Sequence, residues 1–132
     1  MKKGAQTRKQ LLFSQAVQPT FFSMPKNNFT LEELSSLVES KIAGREKNSY
    51  SYELAKKGVK KITRKIGEEA LEVVIASFLH EKNKTKKTRS ELIGEVCDLF
   101  YHNLVLLASQ KIEFTEILRE LEKRNKKHKW LT

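Results

Sequence analysis

The chain is poor in the residues that punctuate or cross-link folds. It has one cysteine, two prolines and five glycines in 132 residues. A lone Cys97 excludes an internal disulfide, and the histidines form no Cys/His cluster of zinc-binding spacing. So few glycines and prolines do not supply the turns of an all-β chain, and no strand-like alternation persists. No uninterrupted apolar run approaches the roughly 20 residues that cross a bilayer. Acids are absent from residues 1–28, the first being Glu32. What is present is 39% hydrophobic and 32% charged residues, the make-up of one soluble, helical, globular domain. A single unpaired cysteine fits a reducing, cytoplasmic setting.

Basic residues outnumber acidic ones, 26 to 16, for a net charge of +10. Such a balance favours an anionic partner, whether nucleic acid, a membrane surface or a polyphosphate nucleotide. The positive charge falls in residues 1–26, 56–65, 82–89 and 123–129, mostly as solvated loops and ends. None of these blocks is the aromatic-studded stripe of a single-strand binder, so nucleic acid is not expected, and no membrane segment is evident.

Residues 1–28 form a basic extension holding both prolines, Pro19 and Pro25, with little order expected. From Phe29 to Lys126 the pattern is helical throughout, followed by a basic tail, 127–132. Thr30 with Glu33 makes a capping box opening a helix to about Ile42, stopped by Gly44. A second stretch starts at Tyr50, where Leu54, Val59, Ile62, Ile66, Ala70 and Val73 recur at threes and fours. Gly58 predicts a kink or break within it. A lysine-rich loop is expected over His80 to Lys87, with Thr88 and Glu91 capping a long helix to about Ser109. A last amphipathic helix carries Phe114, Ile117, Leu118 and Leu121, with a frayed tail unless Trp130 docks.

Two acidic pairs interrupt the apolar stretches: Glu69-Ala70-Leu71-Glu72 and Glu95-Val96-Cys97-Asp98. Spacing of i, i+3 turns both carboxylates of a pair to one side of a helix. The flanking Val73, Val74, Ile75 and Phe78, and later Leu99, Phe100, Leu104, Leu106 and Leu107, read as core. Ionised carboxylates beside a core need compensation, and a hard divalent cation, Mg²⁺ or Mn²⁺, supplies it for four converging acids. The plainer alternative is that each helix shows its charges to water. Lys61, Lys65, Glu68 and Glu72 form one stripe with Glu69 at its edge; Glu91, Glu95, Asp98 and His102 form another. Facing stripes would place lysines at one end of an acidic centre and a histidine at the other, an arrangement suited to phosphate. Equally, the lysines could serve only as intrahelical partners for the acids. His102 could be a packing residue, and Cys97 reads as a small core residue.

Longer strings carry a resemblance. Ser49-Tyr50, Lys65-Ile66-Gly67-Glu68-Glu69-Ala70-Leu71-Glu72-Val73-Val74 and Glu95-Val96-Cys97-Asp98-Leu99-Phe100-Tyr101-His102 resemble the phosphoribosyl-ATP pyrophosphohydrolase family. That family belongs to the MazG-like all-α nucleotide pyrophosphatases, whose pattern is Glu-x-x-Glu, a gap, then Glu-x-x-Asp. The resemblance implies a MazG-like helical bundle in which two long helices carry the site, flanking helices cover it, and a homodimer completes it. It implies Mg²⁺-dependent hydrolysis of phosphoribosyl-ATP to phosphoribosyl-AMP and pyrophosphate, the second step of histidine biosynthesis. By position, Glu69, Glu72, Glu95 and Asp98 would be metal ligands, with Glu68 supporting or replacing one. Lys65 and Lys61 would hold phosphate, and His102 would support the site. Gly94 stands where relatives often carry a further acid. The alternatives are a MazG-like pyrophosphatase for other nucleoside triphosphates, or a non-catalytic helical interaction module.

Overall fold

The computed structural model describes residues 28–128. Its first helix is set by local cap chemistry. Thr30 Oγ1 accepts from the Glu33 N–H at 3.2 Å, and the Glu33 carboxylate accepts from the Thr30 N–H at 3.1 Å. This box opens α1 (Leu31–Ala43) where the sequence predicts it. Gly44 closes the helix from the right-handed region, at φ −73°, and the left-handed turn residue is Arg45 at φ 50°.

Ser49 caps α2 (Tyr50–Lys56) by accepting from the Tyr52 N–H. The break expected at Gly58 is present: its φ of 85° and ψ of 172° lie in a region essentially restricted to glycine. The chain restarts there as α3 (Val59–Lys82). Beyond its own chain neighbours, nothing described lies within 4 Å of where a Cβ on Gly58 would stand. Gly58→Ala should therefore cost backbone strain alone, about 1–3 kcal/mol. A urea midpoint that stays at the wild-type value would contradict this.

The lysine-rich loop is much shorter than predicted. Helix α3 continues through Lys82, and α4 (Lys86–Ser109) begins after Asn83–Thr85. The N-cap is Thr85, and Thr88 is its reciprocal partner. Thr85 Oγ1 accepts from the Thr88 N–H at 3.1 Å, and Thr88 Oγ1 accepts from the Thr85 N–H at 3.2 Å. The Thr88 hydroxyl also donates to the Asn83 carbonyl at 2.6 Å, closing the turn. Lysine is a good helix former, so a lysine-rich stretch need not be a loop. Helix α5 (Phe114–His128) likewise outlasts its expected end, supported by Glu120–Arg124 and Glu122–Lys126 pairs at 2.8 and 2.7 Å. Trp130 and most of the basic extension lie outside the described residues.

Among the described residues the fold is all-α, five helices without a strand. Helices α3 and α4, joined by three residues, pack along one another as an αα-hairpin, with α1, α2 and α5 at its flanks. Val38, Leu54, Ile62 and Val105 form the core, contributed by α1, α2, α3 and α4 in turn. It lies toward the start of α3 and the end of α4. The rest of the hairpin is less covered. Val74 and Ile75 are half exposed and Phe78 is 73% exposed, where the sequence predicts core. Cys97 is exposed too, not a core residue. The physical reason is that the described residues supply no third layer over this face. Helix α4 alone among the described residues has the length and composition of a membrane span, with a mean hydropathy of 1.3. Its core residues at one end and exposed apolar face at the other account for that value, while Glu95 and Asp98 interrupt it.

Candidate active site

Glu69 is the centre of the site. Helix α3 turns it toward α4, where it is only 5% exposed. Lys65, one turn earlier, places its ammonium 3.0 Å from Glu69 Oε1 and 3.1 Å from Glu68 Oε2. Glu68 lies at the rim, also bound by Arg64 Nε at 3.1 Å. The stripe predicted with Glu69 at its edge is thus rotated: Glu69 points inward and Glu68 outward. Successive helical residues differ by about 100°, so the packing angle against α4 decides which of two adjacent acids is buried.

From α4, Glu95 and Asp98 meet Glu69. Each of the three offers a carboxylate oxygen, and these atoms lie within 4.8 Å of one another. Glu72 borders the group. Its carboxyl pKa is raised, chiefly by a hydrogen bond with Glu69 and then by the negative charges of Glu69 and Glu95. Burial pushes the Glu69 carboxyl up, but Lys65, the bond with Glu72 and nearby positive charge together hold it below the usual range. Glu69 and Glu72 are thus pushed in opposite directions, Glu69 down and Glu72 up. Hydrogen bonds to Glu69 and then Glu68 raise the Lys65 ammonium pKa strongly, and the Lys65 bond lowers Glu68.

His102, buried at the next turn of α4, directs Nδ1 to the Asp98 carbonyl at 2.7 Å and lies 3.8 Å from Glu69 Oε1. Lys61 makes no side-chain hydrogen bond or ion pair among the described residues, although the stripe made it a candidate partner for the acids. Among the described residues Glu91 pairs only with Lys87, at 3.9 Å. Two neighbours were not anticipated. Arg64 was readable from its i, i+4 spacing to Glu68. Tyr50, whose hydroxyl is 3.1 Å from His102 Nε2, was not, because 52 residues separate the two.

Three converging carboxylates with one ammonium among them form an oxygen-only donor set short of positive charge. Such a set can hold a metal ion, and its hardness suits a divalent cation of the Mg²⁺ or Mn²⁺ kind. A helical hairpin bearing inward carboxylates on both arms defines the all-α, MazG-like class. Residues 31–125 match the family model of phosphoribosyl-ATP pyrophosphohydrolase, and the chain belongs to that family. It is 41% identical over 104 residues to a phosphoribosyl-ATP pyrophosphatase of Clostridium acetobutylicum, covering 79% of this chain and 87% of the relative. A protein of the same name from Metallosphaera sedula is 42% identical over 96 residues, 73% of this chain and 96% of the relative. A bifunctional histidine-biosynthesis protein of Staphylococcus epidermidis is 36% identical over 81% of this chain, which spans 47% of that relative.

Proposed function

We propose that this chain is a cytoplasmic phosphoribosyl-ATP diphosphatase, hydrolysing phosphoribosyl-ATP to phosphoribosyl-AMP and pyrophosphate in histidine biosynthesis. The observation that carries the proposal is the meeting of Glu69, Glu95 and Asp98 oxygens within 4.8 Å, on a chain of this family. Residues 29–126 are the working unit, with basic ends on either side.

Glu69, Glu95 and Asp98 would hold Mg²⁺, with Glu72 at the border of the site. Bound there, the ion would supply positive charge to the phosphate oxygens and to the charge developing on pyrophosphate. Glu72 lies outside the three-oxygen cluster, so once deprotonated it is the carboxylate free to orient a water and take its proton. The water oxygen bonds to phosphorus as the bridging P–O bond breaks, and the electron pair leaves with pyrophosphate. Lys65 turns from the acids to the substrate phosphates, and Lys61, without a partner of its own among the described residues, assists. Glu68 keeps Lys65 and Arg64 at the rim. The net charge of +10 draws in the polyanionic substrate, an attraction that salt weakens.

The apolar face left open on α3 and α4 supports a homodimer in which two hairpins pack together. Pyrophosphate release should be strong with phosphoribosyl-ATP, weak with ATP or dUTP, and abolished by EDTA. Turnover of the plain triphosphates instead would move the chain to the scavenging MazG-like enzymes.

A further inference from the structure

His102 is tethered at both ring nitrogens. Its Nδ1 lies 2.7 Å from the Asp98 main-chain carbonyl, which can only accept, so Nδ1 carries a proton. In the neutral ring Nε2 is then an acceptor, and the Tyr50 hydroxyl, 3.1 Å away, donates to it. The Tyr50 ring meets the imidazole edge-on at 5.9 Å, and Tyr101 does so at 5.5 Å. Tyr101 is itself anchored by a hydrogen bond to the buried Ser51 hydroxyl. Two consecutive residues of α2 thus bond two consecutive rings of α4, Tyr50 to His102 and Ser51 to Tyr101. The opposite tautomer would set a lone pair against the Asp98 carbonyl and the Glu69 carboxylate.

We propose that Tyr50 is a positioning residue of the acidic site: by bonding His102 Nε2 it keeps the Nδ1–H on the Asp98 main-chain carbonyl and facing Glu69 Oε1, 3.8 Å away. Glu69 is a ligand in the proposed metal centre, and the Asp98 carbonyl belongs to the main chain of another, so this inference rests on that assignment. Tyr50 acts on them only through His102. Removing a hydrogen-bond partner that orients metal-site groups costs about 10–100-fold in metal affinity or activity. Tyr50 is one bond further out, which puts Tyr50→Phe at the lower end, about tenfold.

The test is Mn²⁺ titration of the full chain by calorimetry, alongside its thermal midpoint, for wild type, Tyr50→Phe, His102→Gln and the double variant. We expect Tyr50→Phe to weaken Mn²⁺ binding about tenfold and to add nothing in the His102→Gln background. A lowered midpoint with an unchanged Mn²⁺ titration would mean that the hydroxyl only stabilises the fold, and would overturn the proposal. So would a loss that persists undiminished without His102, as a direct substrate contact read in KM would give. If wild type takes up no Mn²⁺, the metal-centre assignment falls and this proposal with it. If wild type binds and Tyr50→Phe binds equally, this proposal alone falls.

Discussion

Glu69→Gln should lower phosphoribosyl-ATP hydrolysis about a thousandfold, since a metal-held charge contributes several kcal/mol and each 1.36 kcal/mol is tenfold. The expected size follows from where the carboxylate stands. Glu69 is buried between the two hairpin arms, holds Lys65 on Oε1 and meets both Glu95 and Asp98. Glutamine keeps the shape and an oxygen acceptor for Lys65, so the fold should survive while the charge is lost. Glu68→Gln is the matched control. Its carboxylate is exposed and shared with Arg64 and Lys65, so its loss should cost less than about tenfold, as charge partners in high dielectric contribute little. Steady-state kcat and KM for both variants, with circular dichroism to verify folding, make the comparison. Equal losses in the two, or Glu69→Gln within a few-fold of wild type, would refute the buried acid as the centre of the chemistry.

The contrast between adjacent glutamates marks what could be read in advance. Residue type and i, i+3 spacing were enough to bring Glu69 with Glu72 and Glu95 with Asp98 forward as candidates, because helical periodicity is local. Their order of burial was not legible, since it depends on the rotation of α3 against α4. The caps behave similarly. Thr30 with Glu33 and the break at Gly58 follow from side-chain and backbone chemistry within a few residues. At the α3–α4 turn the sequence pointed to Thr88 with Glu91, and only the observed reciprocal bonds identify Thr85 as the cap. The Tyr50–His102 bond joins residues on different helices, so no window along the chain contains it. The apolar run after Glu72 was legible as something to be buried, but no element among the described residues covers it.

That uncovered run has the spacing of an interface. Leu71, Val74, Ile75 and Phe78 step i, i+3, i+4, i+7 along α3, while Ile93, Cys97 and Phe100 step i, i+4, i+7 along α4. All seven are exposed in the chain. Two such hairpins packed face to face make a four-helix bundle, the usual way two helical pairs share a core. A two-fold interface carries every substitution twice. Ile75→Asp therefore buries two carboxylates without partners, each costing several kcal/mol. Wild type should sediment at twice the 15.3 kDa chain mass, and Ile75→Asp at the chain mass, with dimer affinity lowered more than about a thousandfold. Because Ile75 is half exposed in the single chain, its replacement leaves the core of Val38, Leu54, Ile62 and Val105 intact. Helical circular dichroism should accordingly persist in the monomer. A wild type that sediments as a single chain, or an Ile75→Asp protein that remains dimeric, would place the subunit contact elsewhere and leave this face to another partner.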